Sequence, residues 1–153
     1  MFAASFLQIP PHDGHPCSWL MIRTATLIQD LHLIAYNHAW HTRIDSVMIF
    51  TGQAFIALEN ATIISTLNDD YKILLPTVAW EFNESTPEIS GQGFINGAFM
   101  EYGKGRVVIF GEAAMFSAQL LGQQQEKMGM NHPGAKQNPQ LLLNIIHWLD
   151  KKL

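Results

Sequence analysis

The run Gly103-Lys104-Gly105-Arg106-Val107-Val108-Ile109-Phe110-Gly111-Glu112 constrains this chain more than any other stretch. A glycine-bounded turn opens a short strand that is apolar from Val107 to Phe110, as strands buried on both faces of a layered α/β domain are. Residues 94–102 and 106–110 flank that turn and predict a hairpin. The second strand ends in Gly111-Glu112 and passes into Ala113-Ala114-Met115-Phe116-Ser117, which predicts a helix over residues 113–121. In open α/β sheets ligands bind just beyond the carboxyl ends of strands, so Glu112 is the leading candidate for a functional side chain. It can serve as general acid or base, accept a ligand's hydrogen bond, or sit in the first helical turn and favour the dipole.

Around this unit the elements follow from local chemistry. Residues 45–55 read as a strand interrupted at Thr51-Gly52-Gln53, and the β-branched residues 61–67 as a second strand. Residues 71–75 form a third, ended by Pro76, and residues 83–93 a polar loop. Residues 122–137 read as a long loop, a length often associated with function. The last helix is capped by Asn138, with Pro139 at its first position. Its apolar face is Leu141, Leu142, Ile145, Trp148 and Leu149, and Lys151 and Lys152 complement its negative end. Residues 1–18, with Pro10-Pro11, Asp13-Gly14 and His15-Pro16, are irregular. Residues 19–34 fit either a helical stripe or two short buried strands. The division is an N-terminal segment over 1–30 and an α/β unit over 31–153.

At 153 residues and 48% hydrophobic, the chain has enough apolar material for one cored domain and is not disordered throughout. Its nine basic residues are scattered and its net charge is −4, which argues against a nucleic-acid surface. Residues 19–39 are broken by Arg23, Gln29, Asp30, His32 and Asn37 and do not make a membrane span. The first seven residues carry no signal-peptide pattern, and the chain reads as soluble.

Several polar groups can bind a ligand. Gln53 sits at the break in the first strand, where a bulge or a loop-closing hydrogen bond is the simpler explanation. Residues 128–138 hold Asn131, His132 and Gln137 between glycines that permit close backbone approach, or they form a self-capping loop. The pairs His12/His15 and His38/His41 lack the third ligand that zinc requires, so no metal is expected. His147 beside Trp148 is a packing residue. Cys17 follows a proline with no activating base nearby, and as the only cysteine it forms no internal disulfide. Nucleophile elbow, phosphate-binding loop and dinucleotide fingerprint are all missing, so no cofactor is expected.

These motifs together resemble an uncharacterised bacterial family similar to class I glutamine amidotransferase-like domains. The resemblance rests on Gln92-Gly93, Tyr102-Gly103-Lys104-Gly105-Arg106-Val107, Phe110-Gly111-Glu112-Ala113-Ala114-Met115, Gly129-Met130-Asn131 and Gln137-Asn138 before the Leu-rich helix. Phe50-Thr51-Gly52-Gln53-Ala54-Phe55 matches its F-T-G-Q motif, and His32-Leu33-Ile34 with Arg43-Ile44-Asp45-Ser46-Val47 falls at its upstream spacing. The likeness covers about residues 32–150. Asn37-His38 stand where the family has Gly-Arg, and Thr42 replaces a glutamate. The resemblance implies a flavodoxin-like sheet of which this chain holds the C-terminal half. It also implies that full-length relatives often carry an export signal, and it singles out Glu112, Gln53 and Asn131. No cysteine elbow is present, which favours a non-catalytic domain binding a small polar ligand or a protein partner. The alternatives are a hydrolase-like enzyme using Glu112, and a truncated piece that associates through an open sheet edge.

Overall fold

Alternating residues of the 94–110 stretch are apolar on both faces, and a computed structural model shows what each face meets. The structure describes residues 44–78 and 81–151, together with the backbone of two short strands, β1 (Leu7–Gln8) and β2 (Trp19–Leu20). The remaining readings on residues 1–43, including His12, His15, His38, His41 and Cys17, and that on Lys152, lie outside the described residues.

The strands that follow are β3 (Ile56–Ala57), β4 (Thr62–Thr66), β5 (Lys72–Leu74), β6 (Glu88–Ser90), β7 (Ile95–Tyr102) and β8 (Gly105–Phe110). The chain continues through β9 (Ala118–Leu121), β10 (Glu126–Gly129) and α1 (Asn138–Leu149). The expected hairpin is β7–β8, which pairs Tyr102 with Gly105 across a two-residue turn. Gly103 there has φ +61°, a left-handed geometry that glycine adopts without steric cost. β4 joins the other side of β7 with a register irregularity at Ser65, giving the sheet order β4-β7-β8. A second sheet runs β2-β5-β6, so the expected polar loop 83–93 carries an edge strand. All pairings among the described residues are antiparallel. The architecture is thus mixed α/β, mostly antiparallel, with one C-terminal helix.

Cross-strand neighbours sort the two faces of β7–β8. Phe99 opposite Val108 and Gly97 opposite Phe110 look toward α1, where Phe99 meets Trp148 edge-on at 4.9 Å. That side belongs to the main core, which joins Ile64, Ile73, Met115, Leu141 and Ile145. Ala98 opposite Ile109 and Met100 opposite Val107 form a second cluster with Phe55 and Ile95. Arg106 clips helix to sheet. Its guanidinium lies 4.9 Å over the Trp148 ring, and one nitrogen donates to the Trp148 carbonyl at 2.6 Å. Arg106→Lys keeps the charge but loses the planar stack and fork, and is expected to cost about 1 kcal/mol in a urea melt. Lys72→Ala, which removes an exposed pair with Glu88, is expected to cost under about 0.5 kcal/mol in the same assay.

Three expectations are corrected. The helix over 113–121 is a single 3-10 turn at Ala114–Phe116 that gives way to β9. Ser117 is extended there, and its Oγ and N–H both donate to the Ala114 carbonyl, while its own carbonyl accepts from Met130 N–H at 2.6 Å. A serine that bonds its local backbone in this way competes with helix propagation. The loop 122–137 therefore contains β10, paired to β9 from Glu126↔Leu121 to Gly129↔Ala118. Residues 45–51 are extended but join no strand ladder among the described residues, so their backbone groups need other partners.

Candidate functional site

Those partners are side chains. Val47 and Ile49 are buried in the core and Met48 and Phe50 alternate away from it, the period of an extended chain. Gln137 Oε1 accepts from Asp45 N–H and Ser46 N–H, both at 2.9 Å. Asn138 Oδ1 accepts from Met48 N–H at 2.9 Å, while its Nδ2 donates to the carbonyls of Met48 (2.8 Å) and Met115 (3.0 Å). Asn138 is consequently not the side-chain cap of α1. Gln137 occupies the cap position, no side-chain cap bond forms, and the Asn138 amide is fully buried among main-chain groups it alone can satisfy together. Pro139 stands in the first turn as expected.

Glu112 completes the series. Phe50 N–H donates to both of its oxygens, at 2.9 and 3.0 Å, and the main-chain N–H groups of Thr51 and Met115 also hydrogen-bond to it. The residue is only 5% exposed. Burial pushes its carboxyl up to about 7, against the pull of those three N–H groups, which favour the charged form. Its placement depends on a close backbone crossing, in which Gln53 N–H donates to Gly111 O at 2.8 Å and Gly111 N–H to Asn96 O at 2.7 Å.

Of the candidates read from sequence, Glu112, Gln137 and the presumed cap Asn138 thus converge on one segment. Gln53 joins the crossing through its main chain while remaining exposed. Asn131 lies apart from that segment, donating to the Gln119 carbonyl at 3.1 Å and holding a buried Oδ1 with no partner. His147 is half-buried on α1.

The clamped segment forms one wall of a cleft of about 520 Å³. Met48 and Phe50 line it on that side; Leu121, Glu126, Lys127 and Met128 come from the β9–β10 hairpin, and His132 and Pro133 close the end. The volume is that of a small-ligand site. Phe50 meets His132 edge-on at 5.6 Å. His132 Nδ1 accepts from Gly134 N–H at 3.0 Å, which leaves the proton of a neutral ring on Nε2 as a donor. Of these residues the sequence reading had found only the loop that carries His132. Met48 and Phe50 lie in the run 47–50, apolar at every position, so the sequence does not show which side chains face the cleft, and the hairpin opposite them falls across the expected helix 113–121 and the expected loop 122–137.

The arrangement offers one ring donor, two thioethers, an aromatic edge and the Glu126 carboxylate. Glu112 does not line the cleft; it fixes the wall from behind. No group of three His, Cys, Asp or Glu suited to a metal occurs among the described residues, nor any helix long and apolar enough to cross a membrane. Comparison with protein-family models, with curated proteins and with solved structures finds no match for this chain.

Proposed function

We propose that the chain is a non-catalytic ligand- or partner-binding domain, related to the flavodoxin-like amidotransferase domains and lacking their nucleophile, with the cleft as its binding site. The observation that carries this reading is the division of labour between two sets of side chains. The polar residues best suited to chemistry, Glu112, Gln137 and Asn138, are engaged by main-chain groups. The surface they hold in place is apolar, adaptable and large enough for a ligand. The kinship is supported by the spatial meeting of its motifs, since F-T-G-Q, the Gly111-Glu112 turn and Gln137-Asn138 all meet at the clamped wall.

Titration of the whole chain with anilinonaphthalene sulfonate tests the reading. Saturable fluorescence enhancement is expected, and Met128→Glu should weaken it about tenfold, or about 1.4 kcal/mol. Met128 is only half-buried, so the melting temperature should hold. Dye binding indifferent to that substitution, or none at all, overturns the cleft as the site.

A further inference from the structure

The β9–β10 hairpin is a two-stranded sheet by itself, and no strand among the described residues pairs with the outer edge of β10. The bond from Met130 N–H to Ser117 O sets the alternation of the ladder. It places Met128 and Glu126 in hydrogen-bonded pairs with Gln119 and Leu121, and turns the N–H and C=O of Lys127 outward. Glu126 and Met128 share one face of β10 and both line the cleft. Lys127 also lines it, although its side chain alternates to the opposite face, so what it presents there is main chain.

An unpaired donor and acceptor beside an apolar trough define a ligand by its chemistry: an extended peptide, which offers the matching acceptor and donor and sends alternate side chains into the trough. We infer that the cleft takes an extended peptide segment of another protein as an added strand against β10, with an apolar side chain between Met48, Phe50 and Met128 and a basic one beside Glu126. The inference rests on the binding reading above and gives that reading its ligand class. Glu126 supplies the charge preference, because it lies on the trough face while Lys127 points away. The thioethers of Met48 and Met128 suit a site that tolerates varied apolar side chains. Two exposed leucines, Leu120 at 57% and Leu121 at 53%, flank the same hairpin.

The test uses the whole chain and a fluorescein-labelled peptide that repeats Val-Thr-Lys-Thr, which puts valine and lysine on one face of an extended strand, read by anisotropy. Saturable binding is expected, weakened at least about tenfold when alternate peptide amides are N-methylated, since the side chains stay and the strand bonds go. Lys127→Pro removes the outward N–H without touching a ladder bond and should produce a similar loss at unchanged melting temperature. Glu126→Lys should weaken the lysine peptide and favour an otherwise identical glutamate peptide. Equal binding of methylated and unmethylated peptide overturns strand addition. Dye binding without any peptide binding overturns this inference while leaving the cleft a site for compact ligands, and loss of both removes the binding reading as well. A dimer that forms through β10 and excludes the peptide assigns the edge to a second copy and also overturns it.

Discussion

Glu112→Ala is expected to destabilise the protein by more than about 3 kcal/mol at pH 5, because it strands three main-chain N–H groups, each worth roughly 1–3 kcal/mol when left unpaired in a buried site. Phe50, Thr51 and Met115 would lose their common acceptor, and the wall built on residues 45–51 would lose its central tie. The pH dependence of the natural chain gives a sharper test. Glu112 has its carboxyl raised by burial from 4.5 to about 7 in the folded state. Below 4.5 it is protonated in both states and its contribution is fully present. As pH rises toward 7 the unfolded chain releases the proton while the folded one holds it, so stability falls. Above about 7 both states are ionised and the loss is complete. At roughly 1.4 kcal/mol per tenfold change in proton affinity, the full fall is about 3 kcal/mol.

Glu112→Gln keeps one acceptor oxygen and cannot ionise. Urea melts of the natural chain and this variant at pH 4, 5, 6, 7 and 8 should therefore converge as pH rises, since only the natural chain carries the loss. Every other titratable group is common to both proteins, so the difference between the curves isolates Glu112. Parallel curves would show that the carboxyl is not held protonated by burial. For the same reason the cost of Glu112→Ala should shrink between pH 5 and 8.

The second large effect is steric. A Cβ added at Gly111 would lie 1.8 Å from the Gln53 carbonyl oxygen and 2.8 Å from its carbon, both main-chain atoms with no rotamer to escape into. Gly52 is also closely placed from the other side, its own Cβ position 2.5 Å from Gly111 O. Gly111→Ala must open this crossing and lose the bonds from Gln53 to Gly111 and from Gly111 to Asn96. The expected loss exceeds about 4 kcal/mol, beyond the usual range of overpacking because backbone and not side chain must move. It should appear as insoluble expression or a melting temperature lower by more than about 10 °C. Gly105→Ala is the control, since its nearest neighbour is the Tyr102 carbonyl at 3.6 Å. A Gly111→Ala protein as stable as Gly105→Ala would sink the account of the crossing.

Where local chemistry was sufficient, the sequence was readable. α1 follows from proline in its first turn and a helical apolar stripe, and its buried Leu141 and Ile145 fall on that stripe. The β7–β8 hairpin follows from glycine at the turn and the apolar stretches Ala98-Phe99-Met100 and Val107-Val108-Ile109-Phe110 on either side of it. β4 and β5 follow from β-branched residues and the proline after Leu75.

The β9–β10 hairpin was not readable. Its turn, Gly122-Gln123-Gln124-Gln125, has glycine at the start at φ +65° but also places Gln125 at φ +53°, a conformation that glutamine does not advertise. The segment before it, rich in alanine, leucine and methionine, has helical propensity, and pairing with β10 overrode it. The site was half readable. Glu112, Gln137 and Asn138 stood out as polar residues in suggestive places, yet the groups that bring them to one segment, the N–H groups of Asp45, Ser46, Met48 and Phe50, lie 62 to 92 positions away in the chain.

By itself, then, the order of amino acids determined which segments are helix or strand wherever period and turn chemistry speak within a few residues, and it pointed to the acidic junction at Glu112. Only the tertiary structure decided what that acid does, because a carboxylate beside a strand end can face a ligand or the protein's own main chain. The choice is made by the segment 45–51, which joins no strand ladder among the described residues and whose N–H groups are satisfied by side chains, and no local pattern records that need.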